Sequence, residues 1–129
     1  MTRRHALAGT AALVVLGVDL VHEALAPTQF HHVRPVGVFV LAILIAAALL
    51  AVAPRVPSLG VALGAGIAAG GALGTAVSGF GWNGVPDPLV SGGIAFNLSD
   101  VAIGVGDALL IASVLVYAWA HRSALREPL

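Results

Sequence analysis

The chain is 129 residues long, 59% hydrophobic and only 9% charged, with a mean hydropathy of +1.01. Soluble domains are about one-quarter charged, so this composition excludes an ordinary water-solvated globule and points to one compact domain in lipid. Six arginines balance six acids, and lysine and cysteine are absent. That leaves no basic face for nucleic acid, no disulfide framework and no thiolate nucleophile.

The first apolar run covers 6–26 and carries Asp19, His22 and Glu23 near its end. Arg3 and Arg4 before it and Ala24-Leu25-Ala26 at its close mimic a secretory signal with a cleavage site. The three polar residues and the following Pro27 argue for a retained helix instead. A polar break at 27–34 holds His31, His32 and Arg34. Adjacent histidines point different ways and no carboxylate stands at ligand spacing beside them, so the break is read as an interfacial loop without a metal. The second run, 35–53, contains no charge. Pro54-Arg55-Val56-Pro57-Ser58 separates it from the third, 59–79. There Gly66, Gly70 and Gly74 recur every four residues, above them Gly60 and Gly64, a spacing that lets helices approach closely in lipid. Phe80 and Trp82 read as membrane-interface aromatics. The last run, 98–120, begins after Phe96-Asn97 and contains Asp100 and Asp107.

Each run is about 20 residues, enough as a helix to cross ~30 Å of hydrocarbon, and a spanning segment must be helical to satisfy its own backbone. The expected fold is an all-α membrane protein, a single four-transmembrane-helix bundle over 1–129 with short outer loops. Alternating helices place Arg3, Arg4, Arg55, Arg122 and Arg126 on one side and Arg34 alone on the other. Five arginines against one predict cytoplasmic termini, with the first and third loops outside.

In that topology Asp19, Asp87 and Asp100 converge on one membrane–water boundary. A carboxylate in a membrane segment costs roughly 3 kcal/mol or more and normally faces a bundle interior or a wet cavity. Two carboxylates sharing a site do not ionise together, so one holds a proton while the other is free to take one from water. Plainer roles stand beside this one: Asp100, Asn97 and Ser99 as helix caps, and Asp87, between two prolines, as a turn acid. Asp107 lies one heptad after Asp100, about 10 Å deeper on nearly the same face. It reads as a buried polar link to another helix, or else as part of a proton path.

Two stretches carry a family resemblance. Gly71-Ala72-Leu73-Gly74 precedes Asp87 at a characteristic offset, and Phe96-Asn97-Leu98-Ser99-Asp100 opens the last run. Together they resemble the lipoprotein signal peptidases (signal peptidase II), four-helix intramembrane aspartic proteases of bacteria whose last helix opens with Phe-Asn-x-Ala-Asp. Asp19 matches the family's first-helix aspartate, and Val33-Arg34-Pro35-Val36-Gly37 is similar to the segment that begins its second helix. The chain departs from the pattern at Thr75 (asparagine in the family), at Ser78-Gly79 (Asp-Arg) and at Glu23 (lysine). The segment between Asp87 and Phe96 is short, and the first outer loop is brief for the β-rich cradle of that family.

The resemblance implies an aspartic endopeptidase of the bacterial cytoplasmic membrane that removes signal peptides from lipid-modified prolipoproteins at the outer face. It assigns catalysis to Asp87 and Asp100, supporting or substrate-binding roles to Asn97, Asp19, Arg34 and Gly74, membrane lipid as a neighbour, and no cofactor or metal. Two other readings remain: a family-derived membrane protein that binds lipidated peptides without cutting them, and a small proton or ion conductor using Asp100 and Asp107.

Overall fold

Every apolar run forms a helix. The computed structural model describes residues 2–82 and 84–123, in which α1 spans Arg3–Leu25, α2 Val36–Val52, α3 Leu59–Gly81 and α4 Leu98–Ala120. All four are long and apolar enough to cross a membrane. Their ends follow from local chemistry. The Ser58 hydroxyl accepts from the Val61 N–H at 3.3 Å and Thr2 from the His5 N–H at 3.4 Å, capping α3 and α1. Pro35 sits immediately before α2, and Pro54 lies in the 3-10 turn that closes it.

The bundle is organised around α3, which packs against α1, α2 and α4, while α2 and α4 barely meet. Its buried residues are almost all alanine and glycine, including Ala62, Ala65, Ala68, Ala69 and Ala72. The large side chains Leu13, Ile43, Leu44 and Leu115 point outward. This inverts a soluble core, and lipid explains it. Acyl chains are as apolar as leucine, so helices gain little by hiding large side chains and much by close backbone contact. At Gly70 a Cβ would lie 2.7 Å from the Ala12 carbonyl oxygen, and at Gly66 2.5 Å from that of Ala8. Those glycines set the distance between α3 and α1.

The Arg4 guanidinium donates to the Pro54 carbonyl at 3.0 Å, bringing the start of α1 beside the α2–α3 connection. Arg3, Arg4, Arg55 and Arg122 thus share one end of the bundle, opposite Arg34; Arg126 lies outside the described residues.

The Arg34 end differs from the all-α expectation, because four short strands cap it. β1 (His31–His32) pairs antiparallel with β2 (Val85–Pro86), His32 opposite Val85. β3 (Leu89–Ser91) pairs with β4 (Ile94–Phe96) through a Gly92-Gly93 turn whose φ angles are +57° and +79°. Left-handed conformation at both turn residues gives the twist a tight hairpin requires, and glycine adopts it without strain. The first loop is therefore not too brief to build a β cover; it contributes one strand and the third loop the others. The segment between Asp87 and Phe96 is short because it is a hairpin.

Substituting Gly70 by leucine forces a side chain into the Ala12 backbone, which cannot rotate away. The expected cost is about 1–3 kcal/mol or more, read as a lowered unfolding midpoint in detergent. Gly17→Leu, at a position with nothing within 4 Å of an added Cβ, leaves the midpoint nearly unchanged.

Candidate active site

The buried acids collect beneath the β cap. Asp87 follows β2, and backbone contacts hold it on both sides: its N–H donates to the Phe30 carbonyl at 3.0 Å, and its carbonyl accepts from the Thr28 hydroxyl at 3.1 Å. Its side chain is only 1% exposed. One carboxylate oxygen faces Nδ1 of His32 across the β1–β2 ladder, while Oδ1 finds no hydrogen-bond partner among the described residues. Burial pushes the Asp87 carboxyl above the ordinary aspartate range. The neighbouring His32 and Arg34 charges oppose that shift, and the charge of Asp100 adds to it. A simple turn acid would be solvated; this one is enclosed.

Asp100 is reached through Asn97. The Asn97 side chain accepts from the Asp100 N–H at 2.9 Å, and the Asp100 carboxylate accepts from the Asn97 N–H at 3.2 Å. This reciprocal capping box fixes the first turn of α4. The Asn97 amide also donates to the Pro86 carbonyl at 3.4 Å. Pro86 precedes Asp87, so one asparagine ties the strand bearing the first acid to the helix bearing the second. Asp100 therefore fills the plainer of its two expected roles, as a helix-capping acid.

Asp19 lies wholly buried on α1. Its carboxylate accepts from the Ser99 N–H at 2.8 Å and from the Ser99 hydroxyl at 2.5 Å. An acid on one helix thereby satisfies an N-terminal N–H of another, where such groups lack intrahelical partners and the helix dipole favours negative charge. Gly74 makes room for the link, because a Cβ there would meet the Ser99 hydroxyl and lie 2.5 Å from Asp19 Oδ2. Gly74 thus acts through packing. Ser99, where the resembling motif has alanine, supplies both donors.

Glu23 belongs to the same cluster and was not assigned a role from sequence. It is 6% exposed; the Ser78 hydroxyl donates to Oε2, and Oε1 has no partner among the described residues. Nothing local announces that contact, since its two residues are separated by most of two helices. His32, in the exposed first loop as the sequence leads one to expect, also faces Asp87, a contact that its position in the sequence does not announce. Asp107 departs from its expected role: it makes no buried link, lies exposed on α4, and has no hydrogen-bond or ionic partner among the described residues.

No protein-family model, curated protein or solved structure matches this chain.

A cavity of about 240 Å³ opens between α2 and α4 over the face of α3, with Arg34 at its capped end and Asp107 farther down; Asp19, Glu23, Asp87 and Asp100 do not line it. A larger, shallower hollow of about 380 Å³ sits at the opposite end, near Pro57 and His121, and among the described residues no carboxylate lines it. The buried acids Asp19, Glu23 and Asp87 all lie toward the capped end.

Replacing Ser99 by alanine removes one of the two donors to a buried carboxylate and loosens α4 from α1. The expected loss is about 1–3 kcal/mol, measured by unfolding in detergent. For Asp87 the sign follows from its raised carboxyl. The folded protein holds that proton more tightly than the unfolded chain does. The resulting stability is present below the unfolded aspartate range and lost as pH rises through the folded value. Asp87→Asn therefore raises the unfolding midpoint relative to the parent near about pH 8, and the gain shrinks as pH falls toward about 4.

Proposed function

We propose that the chain is an intramembrane aspartic endopeptidase of the signal peptidase II type, with both termini in the cytoplasm and the β cap at the outer face of a bacterial cytoplasmic membrane. Its substrates are lipid-modified prolipoproteins, whose signal segment it cuts at that boundary. One observation carries the reading: an enclosed Asp87, with an oxygen that has no hydrogen-bond partner among the described residues, tied through Pro86 and Asn97 to the helix turn that bears Asp100.

In the dyad one carboxylate is ionised and the other protonated; because they titrate as a pair, the proton belongs to both. The ionised acid takes a proton from water as the oxygen attacks the scissile carbonyl, while the protonated acid gives its proton to the carbonyl oxygen. Collapse of the tetrahedral diol breaks the C–N bond, with a proton passing to the leaving amine. The two acids finish with one proton between them, as they began. The β cap limits water around them, which strengthens each charge interaction.

Two departures from the family pattern touch one another here. Glu23 replaces a lysine and Ser78 an aspartate, and the two side chains form a hydrogen bond; a lysine and an aspartate would have brought opposite charges to that contact. At Gly79, which replaces arginine, the Phe39 ring occupies the space of a side chain. Arg34, at the mouth of the α2–α4 cavity, is the cation left to meet a lipid headgroup or substrate backbone.

A second reading, binding of lipidated peptides without cleavage, is favoured by the engagement of both acids: Asp87 with His32 and Asp100 in its capping box. Turnover of a diacylated prolipopeptide in reconstituted vesicles separates the two. For a protease the parent protein releases product, and Asp87→Asn and Asp100→Asn each slow release by about 10²–10⁴-fold. Binding retained in both variants, with no product from the parent, establishes the second reading instead.

A further inference from the structure

Asp107 has no role in the chemistry above, yet its position is expensive. It stands ten residues into α4, about 15 Å below the capped end and close to mid-membrane for a ~30 Å hydrocarbon layer. A carboxylate at that depth demands a partner, and none of the described residues supplies one. It lines the cavity between α2 and α4, together with Thr75 on α3 and Arg34 at the outer mouth. The Thr75 hydroxyl, on a residue 5% exposed, is also without a hydrogen-bond partner among the described residues. One cavity therefore presents a cation at its mouth, an unpaired hydroxyl within, and an anion at mid-depth, on otherwise apolar walls formed by residues such as Val38, Ala72 and Ile103.

We propose that this groove receives the transmembrane helix of a partner chain, and that Asp107 selects one with a hydrogen-bond-donating side chain, amide or basic, at mid-span. The inference stands apart from the protease reading: a donor at mid-span is foreign to the apolar core of a signal segment, so the occupant is a membrane partner and not the substrate. Charge complementarity identifies the occupant. A helix entering with its C-terminal end outward brings its partly negative carbonyl end to Arg34. The same helix places a side chain near Asp107 about 15 Å deeper, which is about ten residues before that end. An acyl chain offers neither Asp107 nor Thr75 a donor. Among its described residues a second copy of this chain offers no arginine or amide at mid-span, since Arg3, Arg4, Arg34, Arg55, Arg122, Gln29 and Asn97 lie at helix ends and in connections. Asp107 is thus a specificity-determining residue, spatially apart from the acids that would do the chemistry.

Association of dye-labelled protein with dye-labelled apolar helical peptides in phosphatidylcholine–phosphatidylglycerol vesicles tests this by energy transfer. Asp100→Asn protein is used so that cleavage does not enter the measurement. A peptide with asparagine or lysine ten residues before its outward end is expected to bind about tenfold more tightly than its all-leucine counterpart. Shifting the polar residue by two positions removes the preference, as does Asp107→Leu, an exposed substitution that leaves the bundle packing untouched. Asp107→Asn keeps the preference for asparagine and loses it for lysine. A preference that survives Asp107→Leu overturns the proposal. So does equal binding of all peptides, no binding at all, or stronger association between two labelled copies or with a lipid probe. The two ideas fail separately. Selective docking to a parent protein that cuts nothing removes the protease and keeps the groove; cutting by a protein that shows no such docking preference does the reverse.

Discussion

The hydrogen-bonded link from Asp19 to Ser99 holds this bundle in the arrangement that gives it a site. It runs from α1 to the first turn of α4 across the surface of α3, and it passes only because residue 74 has no side chain. Removing both partners from water is costly, and two short hydrogen bonds to one carboxylate offset that cost. The link fixes where α4 begins relative to the membrane boundary. Asn97 and Asp100, on either side of Ser99, inherit that position, and Pro86 and Asp87 inherit it through Asn97. The acids that would share a proton are thus located by a third acid that does none of the chemistry.

Around this link the packing is almost wholly small-on-small. Alanine and glycine along α3 bring three helices to near backbone contact, and the large apolar residues face outward. Dispersion between closely spaced backbones stabilises the bundle where hydrophobic exclusion between helices has little force. The same economy leaves α2 and α4 apart, so α3 shows one uncovered face, and that face is where the cavity with Arg34, Thr75 and Asp107 lies. Tight packing on two sides of α3 and an opening on the third have one cause.

The helices were legible because a membrane sets their length. The run expected at 98–120 is helical over those residues, and the run at 59–79 extends two residues further. The β cap was less legible for unequal reasons. Gly92-Gly93 between Leu-Val-Ser and Ile-Ala-Phe is a readable hairpin signal, overshadowed by the acids on either side. The β1–β2 pair has none, since two histidines facing valine and proline carry no strand pattern, and the pairing arises where exposed loop backbone must find partners. Asp87, Asp100 and Asp19 could be sent to one boundary by counting residues. The Glu23–Ser78 contact could not, because it depends on the rotation of α1 against α3. Nor could the exposure of Asp107, because it depends on a gap between helices that barely meet.

The hairpin between the two boundary acids has a geometric consequence. Leu89 lies opposite Phe96, and only the glycine pair at the far tip reverses the chain. The strand ladder therefore works as a caliper: its jaws, next to Asp87 and Asn97, stay a fixed width apart whatever length of chain joins their other ends. Residues inserted at the tip would extend the hairpin outward and leave the jaws in register, whereas one residue inserted at a jaw would turn every following side chain to the opposite face. The tip is the place on this protein to attach a label, an epitope or a foreign loop without disturbing the acids beneath.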